Sequence, residues 1–183
     1  DMVDRGVYPT RDKKGGYDDY SKGLAHFIRD ARKDLSAPQL PFVIGVMGAG
    51  GPVDKYLPDQ QRYAGIHQNF RQAMAAPATH PEFKGNVTTV LTENYWDMEL
   101  TSLRAREAKI NQKVKKLQSE EKRSREELAG ARERFRADEF TKRELETLEK
   151  GVSNAEYHYL GSAKIMAQIG KGFAEALADL RKE

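Results

Sequence analysis

The sequence predicts an α/β domain in which helices cover a parallel sheet, interrupted by a charged helical insertion. Two short runs rich in β-branched residues, FVIGVMG from Phe42 and NVTTVLT from Asn86, have the length and composition of strands. A helical apolar period precedes each, and helix, strand, helix, strand is the order of a helix-covered parallel sheet. Residues 101–150 differ in kind: they hold 15 Lys and Arg against 11 Asp and Glu, so this stretch is +4 and the remainder −1 of the chain's +3.

Taken in order, residues 1–16 are rich in Gly, Asp, Lys and Arg without periodicity and read as a surface loop. From Tyr17 the residues Tyr20, Leu24, Phe27, Ile28, Ala31 and Leu35 recur at three and four, an amphipathic helix whose polar face carries Lys22, Arg29 and Lys33. SAPQLP breaks it and leads into the first strand, which reads as buried on both faces. A second helix spans 60–76, with Tyr63, Ile66, Phe70, Ala73 and Met74 on one stripe.

Apolar residues are sparse in 101–150. Leu103, Ile110, Val114 and Leu117 mark one helix, and Leu128, Ala131 and Phe135 the next, around Gly130 and the polar join QSEEKRSREE. The expectation is a charged helical hairpin projecting from the sheet domain. A last helix over 162–182 carries Ala163, Met166, Ile169, Phe173, Ala176, Leu177 and Leu180, with Ser162 as N-cap. Gly170 and Gly172 lower its helix propensity, and close packing on the sheet is the expected return. The domains are therefore 1–100, the inserted 101–150, and 151–183.

Composition excludes several classes. With 183 residues, 38% hydrophobic and 32% charged, the chain suits one globular domain. Its longest apolar run, FVIGVMGAGG, is far short of the roughly 20 residues of a membrane span. There is no cysteine, hence neither disulfide nor thiolate metal site. The start, DMVDRGVYPTRDKKGGYDDY, has no secretory pattern and no initiator Met, as expected of a fragment or processed chain. A charge of +3 is weak for nucleic acid, and in the insertion acidic residues interleave with basic ones while aromatics are limited to Phe135 and Phe140.

Four histidines are candidates for chemistry. His26 falls off its helix's stripe and His80 precedes Pro81, so both read as solvated, and His67 reads as half-buried packing. None has the neighbours of a metal site, and no metal or cofactor is expected. His158 stands in GVSNAEYHYLG, a loop of small and turn-forming residues directly before the last helix. A histidine fixed there suits general-base duty. The plainer alternative is that it hydrogen-bonds the loop backbone between Tyr157 and Tyr159.

GVMGAGGP follows the first strand but fits neither phosphate-loop pattern, since Val53 stands where a third Gly belongs. It and ENYWD, after the second strand, nonetheless sit where parallel sheets bind ligands. Tyr95 and Trp96 have two readings, stacking on a sugar ring or anchoring the core.

DMVDRGVYPTRD, FVIGVMGAGGP, LTENYWD and SNAEYHYLGSAKIMAQIGKGFAEAL together resemble the carboxyl-terminal portion of bacterial sialate O-acetylesterase-like proteins, carbohydrate esterases of the SGNH hydrolase superfamily. The resemblance implies a three-layer α/β/α flavodoxin-like fold, incomplete at its start. It implies an acetylated carbohydrate as substrate and hydrolysis of its acetyl ester by a Ser-His mechanism with His158 as base. Such relatives are usually exported, which implies a periplasmic or extracellular location. The family's nucleophile and oxyanion residues precede a block whose last residue matches Asp1, and none of Ser21, Ser36, Ser102, Ser119, Ser124, Ser153 and Ser162 has the nucleophile's surroundings. The chain alone is thus expected to be inactive and of marginal stability. The family's Asp-x-x-His reads Ala155-x-x-His158 here, which leaves Glu156 to orient the imidazole, a Ser-His dyad without an orienting acid, or, more remotely, Asp97. Gly48, Gly50, Glu93, Asn94 and Trp96 are the expected substrate-side residues. A rival reading makes the chain a non-catalytic scaffold whose charged hairpin binds a partner helix.

Overall fold

The computed structural model describes residues 4–120 and 123–182, so Asp1 and two residues of the polar join lie outside the described residues. The helices are α1 (Asp18–Asp34), α2 (Ala64–Ala75), α3 (Met98–Glu120), α4 (Arg125–Glu139), α5 (Lys142–Gly151) and α6 (Ala163–Leu180), and the strands are β1 (Phe42–Val46) and β2 (Val87–Leu91). The chain divides into two compact units, Asp1–Trp96 with Ile165–Glu183 and, between them in sequence, Asp97–Lys164.

In the first unit β1 and β2 pair in parallel, from Phe42 opposite Val87 to Val46 opposite Leu91, with α2 in the crossover. Acidic Asp18 and Asp19 open α1 and basic Arg32 and Lys33 close it, each favoured by the helix dipole. Ala25 and Ile28 of α1 bury against Ile44, Val46, Val87 and Phe83. A second cluster joins Tyr17 to Ile66, Phe70 and Ala73 of α2.

The stripe of α1 is narrower than its period predicts. Phe27 and Leu35 are exposed, while Arg32 is buried. The Arg32 guanidinium donates to the Leu40 carbonyl (2.9 Å) and to Asn86 Oδ1 (2.7 Å), so one cation ties down the residues ahead of both strands. Helix α6 also packs here. A Cβ on Gly45 would lie 2.6 Å from the Phe173 ring, and one on Gly172 would lie 2.3 Å from the Tyr95 hydroxyl. The expected close approach therefore occurs at Gly172, whereas Gly170 faces open space.

The second unit is helical throughout its described residues. Leu103 and Ile110 of α3, Phe140, and Leu148 of α5 form its core. Ser124 and Thr141 each cap a helix, accepting from the backbone of Glu127 and Glu144, whose carboxylates bond back to the cap N–H groups. Charge is paired within the unit: Arg106 donates to Glu139 (2.8 Å) and Glu144 (2.6 Å), and Glu107 receives Arg132 (3.0 Å) and Arg136 (3.4 Å). The Thr141 N–H, then Arg106 and the Thr141 hydroxyl, pull the Glu144 carboxyl down to about 2.

Two expectations are corrected. The chain does not form a three-layer α/β/α flavodoxin-like fold: among the described residues the sheet has two strands, and most of the chain is helical. Only two segments carry β-branched runs, and the rest follows the helical period. The insertion is not a hairpin but three helices, because the Thr141 capping box starts α5 directly after extended Phe140. No helix among the described residues is long and apolar enough to cross a membrane.

Candidate functional site

Loops that follow the carboxyl ends of parallel strands are the natural ligand-binding part of such a sheet. Here the two loops are joined directly. Thr92 Oγ1 donates to the Val46 carbonyl (2.7 Å), and Gly48 lies so close to the next loop that a Cβ would meet the Glu93 nitrogen at 1.9 Å. Gly50 and Gly51 turn the first loop with φ of +84° and +78°, which glycine adopts without steric cost. A 3-10 turn at Val53–Lys55, rather than an α-helix, follows it, so no helix N-terminus stands behind these glycines.

A buried cation holds the junction. Arg71 of α2, 4% exposed, pairs with Glu93 through Nη1. Its Nη2 donates to the carbonyls of Ala49 (3.2 Å) and Gly51 (3.0 Å) and to the Tyr56 hydroxyl (3.1 Å). Tyr56 lies 2.6 Å from His67 Nδ1, and the His67 ring stacks on Tyr63. Burial, and secondarily the Arg71 charge, lower the His67 pKa from 6.5 to about 4, so its imidazole is neutral near pH 7.

Of the expected substrate-side residues, Gly48, Gly50, Glu93 and Trp96 belong to this junction. Trp96 is buried, with its ring against Gly51. Asn94 is exposed and lines a separate cleft of about 500 Å³ along β2 and α6. Sequence reasoning missed Arg71 and Tyr56. The spacing of His67 and Arg71, one helical turn apart, puts them on one face of α2 but does not mark Arg71 as buried.

His158 lies in the second unit, in the 3-10 segment Glu156–Gly161. The segment reverses through three successive residues in the left-handed region, Tyr159 (φ +51°), Leu160 (+60°) and Gly161 (+58°). Two of them are not glycine, a conformation that persists only where surroundings impose it. Leu160 is fully buried, and its carbonyl accepts from Ser153 (2.9 Å) and Asn154 (3.0 Å). The Ser153 hydroxyl donates to the Gly161 carbonyl (2.9 Å).

On this frame the His158 side chain is exposed beside Tyr157, itself 72% exposed. Its backbone N–H donates to Ala155 (3.0 Å), while its imidazole makes no hydrogen bond among the described residues. Glu156 shares the segment but pairs with Arg104 (3.7 Å). Asp97 is engaged elsewhere: one oxygen accepts from Leu100 N–H (3.1 Å), capping α3, and the other from Lys164 (2.7 Å). Burial opposes ionisation of Asp97, yet Lys164 and the backbone donors outweigh it and hold the carboxyl below its ordinary range. No group of three His, Cys, Asp or Glu among the described residues is placed to hold a metal.

No protein-family model, curated protein or solved structure matches this chain.

Proposed function

We propose that the chain is the carboxyl-terminal part of a carbohydrate O-acetylesterase, in which His158 is the general base and the nucleophilic serine lies upstream of these residues. The observation that carries this reading is His158 itself, whose exposed ring makes no hydrogen bond among the described residues and stands on a backbone fixed by buried Leu160 and the left-handed turn. A base needs a free ring nitrogen and a rigid mount, and this loop supplies both. In the proposed reaction the imidazole takes the serine proton as the hydroxyl attacks the acetyl carbonyl, then returns it to the departing sugar oxygen.

Support also comes from the serines at hand. Ser153 is spent on the Gly161 carbonyl and Ser124 on a helix cap, and no serine among the described residues bonds to His158. The experiment is hydrolysis of 4-nitrophenyl acetate by the full-length protein, wild type against His158→Ala. A fall of about a thousandfold or more is the expected result. Equal rates overturn the esterase reading and return attention to an interaction role for the charged helices.

A further inference from the structure

The bond from the Phe42 N–H to the Asn86 carbonyl (2.9 Å) sets the phase of the ladder between β1 and β2, in which alternate residues bond across the pair. Thr88 and Val90 therefore turn their N–H and C=O groups to β1, and Val87, Thr89 and Leu91 turn theirs away. Among the described residues nothing pairs with the backbone groups of those three, and the cleft of about 500 Å³ runs along them. Free strand edges are ordinarily guarded by charge, proline or a bulge. The strand VTTVL carries none of these, its register is unbroken, and the Leu91 side chain is 41% exposed.

We infer that β2 is an interface for a second copy of this chain, the two β2 strands pairing antiparallel about a twofold axis at Thr89. An outward row of three residues centred on Thr89 is complementary to itself. Thr89 exchanges both bonds with Thr89 of the second copy, Val87 does so with its Leu91 and Leu91 with its Val87, so every outward group of both edges is used. The same pairing sets threonine beside threonine and covers exposed Leu91 with valine, both favourable cross-strand neighbours. The outer row of β1 lacks this symmetry: it is centred on Gly45, and its Met47 N–H already donates to Met74 Sδ (3.4 Å). The inference stands apart from the esterase reading.

The test is analytical ultracentrifugation of the full-length protein. The wild type is expected to sediment as a dimer, and Thr89→Pro, which removes only an N–H that points away from β1, should raise the dissociation constant by about tenfold or more. Circular dichroism shows whether that variant folds. Oxidation of Thr89→Cys should join two chains beyond the wild-type background, because Cα atoms paired in this way lie about 5.5 Å apart. Leu91→Cys, about 14 Å from its own copy, should not. If Thr89→Pro does not fold, the cysteine variants decide, and crosslinking at 89 without crosslinking at 91 upholds the inference. A wild type that stays monomeric up to millimolar concentration overturns it, even if it binds a free VTTVL peptide. So does a dimer that folded Thr89→Pro leaves intact, or one that Leu91→Cys crosslinks as readily as Thr89→Cys.

Discussion

The hydroxyl of Tyr56 lies 2.6 Å from Nδ1 of His67, and Arg71 donates to the same hydroxyl from 3.1 Å. The same hydroxyl donates to the Ala49 carbonyl (3.3 Å), and burial, with the Arg71 charge beside it, keeps the imidazole neutral.

Acid is therefore expected to destabilise the first unit through His67. The folded pKa, about 4, lies below the ordinary 6.5, so the unfolded chain binds a proton first as pH falls. Stability declines as pH falls from 6.5 to about 4 and levels off below. Urea denaturation of the wild type and His67→Gln across this range checks it: the variant should lack that part of the slope.

Replacement of Gly161 should damage the His158 loop. At φ +58° a Cβ would stand 2.1 Å from the Ser153 hydroxyl, so Gly161→Ala meets both backbone strain and a clash. A loss of about 1–3 kcal/mol is expected. Thermal unfolding measures the loss.

Leu160 is fully buried at the turn of that loop. Leu160→Ala should cost about 2–5 kcal/mol. Hydrogen exchange should show faster exchange at Ser153 and Asn154, whose N–H groups bond to the Leu160 carbonyl.

Thr141→Ala removes the hydroxyl that caps α5 and should destabilise the second unit by about 1 kcal/mol. Thr141→Ser, which keeps the cap, should be close to neutral. Chemical denaturation of the three proteins provides the comparison.

Local structure was largely legible in the sequence. FVIGV and VTTVL, bounded by breakers, read as strands, and the α1 and α2 stripes locate the helices that cover them. Sheet size was not, because strand number came from a family resemblance rather than from further β-branched runs. The third helix of the insertion had a visible signal in Thr141-x-x-Glu144, overshadowed by the continuous charge around it. Arg71 lay beyond reach for a different reason. An arginine beside an apolar stripe ordinarily extends into solvent, and only the folded loops reveal that Ala49, Gly51 and Glu93 converge on it.

The Asp97 to Lys164 ion pair joins the first and last residues of the second unit. A long excursion whose two ends are clasped imposes on its host little more than a tight turn does, since the cost of closing a loop grows only with the logarithm of its length, about 0.6 kcal/mol per doubling.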